Sequence, residues 1–359
     1  MIAWWRTSFG EVDGRRLQEA VAKEYVGQGP LTAEFEARLA EALGVPYAVA
    51  TTSGSVALLM ALMALGVGRD DEVIVPNRGW IAVAHAALLL GAKVVLVDVR
   101  PDVPIMDVSQ VKRKITHRTK AIVPVHLNGR AVDMKALHAI AKKHGLVVVE
   151  DAAQALFSRD RDGFLGTRSD AGCFSFSPAK LVSTGQGGLV VTGDRATSER
   201  LRLIRSHGVA DLIEVTYTQI GFNFKFSDLH AAVGLAQLAR AKARIAQVNA
   251  VYARYAVALE ALPFLTLIPV EVVRGEVPLY VEVLCRERER LRAFLRARKI
   301  HTRPFYPDLD RAPYLRTDER FPHSRRFSEQ GLFLPCGPEQ PEQAVERVIE
   351  ALKEYGARQ

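Results

Sequence analysis

Within residues 32–43 the apolar positions recur at helical spacing, with Phe35, Leu39 and Leu43 on one face and Gly44 as a stop signal. Downstream, short apolar runs alternate with amphipathic segments. The runs predict strands at 47–51, 72–76, 93–99, 121–126, 146–150, 172–177 and 189–192. Two of them, IVPVH and LVVVE, carry no polar alternation, as expected of strands covered on both faces. Helical segments lie between them, such as 133–144, which turns Met134, Leu137, Ile140 and Ala141 inward. Repetition of strand, helix and strand predicts an α/β fold with a doubly wound, mostly parallel sheet.

Past Gly221 the pattern changes. Ser227 is placed to cap one long Ala-rich helix running to about residue 262. Strand-like stretches follow at 265–270 and 279–284, then helical ones at 287–298 and 341–355. The chain is therefore expected to divide into a large α/β domain, residues 1–240, and a small C-terminal α+β domain, residues 241–359.

Composition narrows the function classes. At 359 residues, 48% hydrophobic and 25% charged, the chain is long enough for one large core and a second lobe. Its most apolar stretch, 81–99, is interrupted by His85, Gly91 and Lys93 and reads as helix, turn and strand, so no membrane partner is expected. The opening MIAWWRTSFG has no basic region followed by an apolar run, so no secretory signal is expected. Cys173, Cys285 and Cys336 are scattered and odd in number, which fits reduced thiols in a cytoplasm. The net charge is +8, but Arg and Lys are spread along the chain, with local runs only at 286–298 and 316–326. Without a docking motif this argues against a nucleic-acid partner. It fits a basic surface whose potential draws in a small phosphorylated anion.

Ligands of open α/β sheets sit at the carboxyl ends of strands, and four segments put polar residues there. The first, Thr51-Thr52-Ser53-Gly54-Ser55, joins a strand to a helix whose free N–H groups suit a phosphate; it also reads as an ordinary capped turn. In the second, Glu150-Asp151-Ala152-Ala153-Gln154, a carboxylate ends a buried strand. Such a charge is costly unless it meets a cation, and a pyridinium nitrogen is one, while a helix cap is the alternative. The third runs from Gly172 to Lys180 and on through a glycine-rich turn to Gly188. A lysine placed there is desolvated, which frees a nucleophilic amine for Schiff-base chemistry, and Ser175 and Ser177 offer hydroxyls. The fourth, from Gly221 to Asp228, sets Asn223 among aromatics at a helix start, where a plain turn residue also fits.

The order SGS, EDAAQ, SFSPAK with STGQGG, then GFNFK resembles the DegT/DnrJ-type sugar aminotransferases of pyridoxal-phosphate (PLP) fold type I. GQGPLTAEFE, DEVIVPNRGW, TKAIVPVHLNGRAVDM and RSHG extend the resemblance over most of residues 5–240, and it continues faintly to LFLP. It implies an aspartate-aminotransferase-like fold with PLP as cofactor. Lys180 would hold the aldehyde and move protons, and Asp151 would pair with the ring nitrogen. Gln154 would lie near the phenolic oxygen and Trp80 on the ring face, with Gly54, Ser55 and Ser175 around the phosphate. Asn223 matches a residue that reaches the phosphate of the neighbouring subunit, which implies a homodimer with shared sites. The activity implied is transfer of an amino group from an amino acid, usually glutamate, to a keto-sugar that is usually nucleotide-linked.

The chain departs from the family pattern at Gln186, Leu181, Phe224, Lys225 and Ala131, none of which removes a PLP role. Lys225 in place of Arg weakens any bidentate anion contact. A sugar dehydratase of the same family is disfavoured by Lys180, because those typically carry His there. A non-catalytic PLP- or sugar-binding regulator is disfavoured by the set Lys180, Asp151 and Gln154. Arg303, Phe305 and Tyr306 are candidates for lining the substrate pocket. His126 stands between touching substrate and packing behind the site. Cys336 is expected to be a structural thiol.

Overall fold

The computed structural model describes residues 1–211, 213 and 215–358. Helices α1 (Glu11–Ala22) and α2 (Pro30–Leu43) lead into β1 (Tyr47–Thr51), α3 (Gly54–Ala64), β2 (Glu72–Pro76), α4 (Ala82–Leu89), β3 (Lys93–Val97), β4 (Thr119–Ile122), α5 (Met134–His144) and β5 (Val147–Asp151). A hairpin of β6 (Arg159–Asp160) and β7 (Gly163–Phe164) precedes β8 (Ala171–Ser175), β9 (Gly188–Thr192), α6 (Arg195–Arg205), α7 (Asp228–Ala239) and α8 (Ala241–Leu259). The remainder comprises β10 (Thr266–Leu267), β11 (Val281–Leu284), α9 (Arg288–Ala297), β12 (Arg303–Pro304), α10 (Pro322–Gln330), β13 (Gly331–Leu334) and α11 (Glu342–Gly356).

The large sheet has seven strands in the order β1-β9-β8-β5-β4-β2-β3. Strand β9 runs against both neighbours, while the pairs from β8 across to β3 are parallel. This is the mixed, mostly parallel sheet expected. Every residue of β2, β8 and β9 is buried, as helices on both faces require. The reversal at β8–β9 places the segment between them, which carries Lys180, at the carboxyl end of β8.

The small sheet, β10-β11-β13-β12, is antiparallel throughout. The first residues of the chain pack beside it: Ile2 bridges Ile300 and Trp5 bridges Cys336. Two buried arginines tie the small sheet to the carboxyl ends of the large one. Arg130 meets Glu282 at 2.5 Å and donates to the carbonyls of Pro269 and Ile268, and Arg78 meets Asp308 at 2.9 Å. Just before Arg130, Gly129 has φ +79, and a Cβ there would lie 2.1 Å from the carbonyl oxygen of Val277. Only glycine admits so close an approach between the two parts.

Two expectations need correction. The helix expected from Ser227 to about residue 262 is two helices broken at Arg240, although Ser227 does cap the first. Arg240 and Gln237 both bind the Asp13 carboxylate on α1, so the break is pinned to the N-terminal helix. The strand expected over 265–270 shrinks to Thr266–Leu267, because β11 pairs with it over two residues only. Among the described residues no helix is long and apolar enough to cross a membrane.

Candidate active site

The carboxyl ends of the central strands and one edge of the small sheet enclose a cavity of about 270 Å3. Ser53, Gly54 and Ser55 enter it from the start of α3, Asp151 and Gln154 from the end of β5, and Ser175, Ser177 and Lys180 from β8 and its turn. Trp80 closes one side, and Tyr280, Arg303 and Tyr306 come from the small sheet. The structure thus brings together seven of the eight residues singled out for the cofactor, from four separate segments.

Lys180 is half-buried. Desolvation lowers its pKa to about 8; the Asp151 carboxylate opposes the shift and the Arg303 guanidinium adds to it. Burial raises the pKa of Asp151 against the opposing pull of the Ala153 amide, Lys180 and His126. One carboxylate oxygen of Asp151 accepts from the Ala153 amide at 3.0 Å, and among the described residues the other has no donor. A buried carboxylate with a free oxygen facing a cavity is a site for a cationic N–H.

The anion end is built by close packing. Ser53 caps α3 by accepting from the Val56 amide, which leaves the amides of Gly54 and Ser55 at the helix mouth. A Cβ on Gly54 would lie 2.8 Å from the Cβ of Ser175, so glycine lets the helix mouth and β8 share one cradle. Gln154 accepts from the Asn128 amide at 2.9 Å, which fixes its side chain. Trp80 is 51% exposed and meets Tyr306 edge-on, with ring centroids 5.1 Å apart, so one indole face stays open to a planar ligand. Free carboxylate, depressed lysine, phosphate cradle and aromatic wall fit the ring nitrogen, aldehyde, phosphate and ring face of PLP.

Asn223 is not brought into this cavity. It is exposed, and among the described residues its side chain accepts only from the Lys225 amide, at 3.4 Å. His126 is fully buried behind the site; it bonds Glu150 at 2.8 Å and accepts from the Val132 amide, which decides it as packing. Phe305 is a correction. It is buried in the core against Phe333, with centroids 4.6 Å apart, because its ring lies over Gly331, where a Cβ would come within 2.2 Å of it, whereas Arg303 and Tyr306 line the cavity. Burial pushes the Cys336 thiol up to about 12, which keeps it an inert structural group. Gln186, marked in the sequence only as a departure from the family pattern, lines the cavity, and so does Tyr280, which went unnoticed. Tyr280 donates to the Ala179 carbonyl at 2.9 Å and so buttresses the lysine turn from 101 residues away, a contact without local signal.

The model of the DegT/DnrJ/EryC1/StrS aminotransferase family matches residues 8–353. The chain is 34% identical over 352 residues to the GDP-perosamine synthase of Escherichia coli O157:H7, covering 93% of this chain and 95% of that one. It is 37% identical over 336 residues to a dTDP-3-amino-3,4,6-trideoxy-alpha-D-glucose transaminase of Streptomyces venezuelae, covering 92% and 88%. Its fold superposes on S. venezuelae DesV, solved in complex with a ketimine intermediate, with a TM-score of 0.91 at 35% identity, covering 96% and 94%. With motifs, fold and full-length relatives in agreement, the chain belongs to the DegT/DnrJ/EryC1/StrS aminotransferase family, with its aspartate-aminotransferase-like fold and its PLP cofactor.

Proposed function

We propose that this aminotransferase moves an amino group from glutamate onto the keto carbon of a nucleotide-linked sugar, with Lys180 as the proton-carrying residue. One observation carries the reading: Lys180, with its pKa lowered to about 8, shares a cavity with the half-free carboxylate of Asp151. When bound, PLP supplies an aldehyde that takes up amino groups and a ring that accepts charge from the carbon losing its proton. Asp151 holds the ring N–H, Gln154 approaches the phenolic oxygen, Trp80 covers the ring face, and Gly54, Ser55 and Ser175 hold the phosphate. The Lys180 amine is a base near neutral pH, so its Nζ takes a proton from the substrate carbon and returns it.

The nucleotide-linked acceptor rests on two relatives, a GDP-perosamine synthase and a dTDP-3-amino-3,4,6-trideoxy-alpha-D-glucose transaminase. Arg303 supports it. Its guanidinium lies over the rings of Trp4 and Tyr306 at 5.0 and 4.8 Å, and among the described residues it meets no carboxylate, so it is free for a substrate anion. A homodimer in a cytoplasmic setting belongs to the same reading, with Asn223 serving the partner's phosphate cradle. Near Asn223, Ile213, Tyr217, Ile220 and Phe222 are 93%, 78%, 82% and 65% exposed, an apolar surface suited to a second copy. Residues 1–240 would then form the cofactor-binding domain and 241–359 the small one.

To test the acceptor, the enzyme is converted to its amine form with glutamate, freed of glutamate, and offered keto-sugars and 2-oxo acids separately. Return of the aldehyde-form absorbance with a nucleotide-linked keto-sugar is expected. Return with 2-oxo acids alone, across a broad sugar panel, overturns the substrate class.

A further inference from the structure

Lys180 sits in a tight turn after β8, closed by its own amide on the Ser177 carbonyl at 3.1 Å. The neighbouring carbonyls are held from elsewhere in the chain. Trp5 Nε1 donates to that of Pro178 at 3.2 Å, the Tyr280 hydroxyl to that of Ala179 at 2.9 Å, and Arg244 to that of Leu181 at 3.0 Å. The rings of Trp5 and Tyr280 meet edge to face, with centroids 5.3 Å apart, so the first two donors brace each other. Burial raises the pKa of Tyr280 well above its ordinary value, which keeps the hydroxyl protonated and donating. Tyr280 is placed in turn by Asn128, which is fully buried. Asn128 Oδ1 accepts from the Tyr280 amide at 2.6 Å, and Nδ2 donates to the Tyr280 carbonyl at 2.9 Å. Asn128 has φ 56 and ψ 36, a left-handed backbone that asparagine adopts more readily than most residues. Such a turn needs no side chain, and glycine would serve it. Here both polar side-chain atoms close on one residue 152 positions away, the one whose hydroxyl reaches the lysine turn. The Asn128 amide also fixes Gln154.

We propose, on the reading of Lys180 as the attachment point of PLP, that Asn128 and Tyr280 are positioning residues for that lysine: the Asn128 side chain sets the Tyr280 backbone, and the Tyr280 hydroxyl holds the lysine turn. Neither residue is assigned a proton. Both remove slack from Lys180 Nζ, which serves first the cofactor aldehyde and then the substrate carbon, so that a small displacement of the turn slows the proton transfer without touching substrate affinity.

The test compares the PLP-loaded parent enzyme with two variants. Asn128→Gly keeps the left-handed turn and the amide bond to Gln154 but deletes the clamp on Tyr280, and Tyr280→Phe deletes only the hydroxyl. Each should speed the loss of PLP on dilution by about tenfold and lower the maximal single-turnover rate with glutamate by a similar factor, with half-saturating glutamate within about twofold of the parent. The double variant should be no worse than the worse single one, because both act through the one contact to Ala179. Parent-like PLP loss and glutamate rate in either single variant, or effects that multiply in the double one, overturn the proposal. A lowered melting temperature with PLP loss and glutamate rate unchanged marks a merely structural role and overturns it too. Borohydride labelling of the parent separates the two levels. A label elsewhere than Lys180 overturns the attachment point and this proposal together, whereas a label on Lys180 with parent-like variants overturns this proposal alone.

Discussion

Glu150 and Asp151 are neighbours on β5, and burial leads them to opposite states. Desolvation disfavours the charge of Glu150, but His126 and the amides of Gly166 and Arg168 outweigh it and hold its pKa down to about 2. Asp151 has one amide and a free oxygen, and its pKa goes up. The first carboxylate is filled by the protein and the second is left for a ligand. Glu150→Gln should therefore destabilise the fold by about 1–3 kcal/mol, since it disturbs a buried three-donor arrangement. The sign follows from the depressed pKa: the Glu150 contribution is fully present above pH 4.5 and is lost as pH falls toward 2. Urea melts of both proteins across that range check this; a gap that persists unchanged at the acid end contradicts it. Lys180 gives a second residue-scale prediction. Because its amine is neutral above about pH 8, PLP uptake by the apoenzyme should slow as pH drops below that value and level off above it. Stopped-flow absorbance measures it, and a rate still climbing steeply through pH 10, near the ordinary lysine value of 10.5, contradicts the lowered pKa.

At the scale of elements, the phosphate cradle exists because the mouth of α3 and the end of β8 touch where Gly54 has no side chain. Gly54→Ala should weaken PLP binding by roughly tenfold or more, since overpacking forces the two elements apart. Gly68→Ala, where a Cβ meets nothing within 4 Å, is the control. Equal PLP affinity in both variants contradicts the cradle. The sequence already marked these elements, because continuous apolar runs such as LVVVE and the SGS turn signal locally, and their ends carry Asp151 and Gly54. What it did not mark was pairing over distance. Strand β13 is four apolar residues and β12 only two, too short for any periodicity. Yet the β12–β13 pairing brings Arg303 into the lining of the Lys180 cavity, and Phe305 just beyond it is buried over Gly331 of β13. Tyr280 was missed for the same reason, and the break at Arg240 was hidden because Asp13, its anchor, lies 227 residues away.

At the scale of the whole molecule, two parts of the chain are clamped by buried pairs, and the proposed dimer would use the exposed apolar segment beside Asn223. Lys180→Ala and Asn223→Asp should each be inactive, yet mixing them after dissociation should restore activity at about a quarter of the sites, if the two residues serve one site from different chains. A fully active monomer contradicts the shared site. The two ion pairs matter here because they hold the small sheet, with Arg303 and Tyr306, over the cofactor end of the large one. Every role assigned to the cavity depends on Lys180 as the attachment point of PLP. Borohydride reduction of the PLP-loaded enzyme, followed by peptide mapping, tests this most directly. The account predicts the cofactor mass on the peptide containing Lys180, and in Lys180→Ala no label with transamination reduced at least about a hundredfold. A label on another lysine, or full activity in Lys180→Ala, would contradict it.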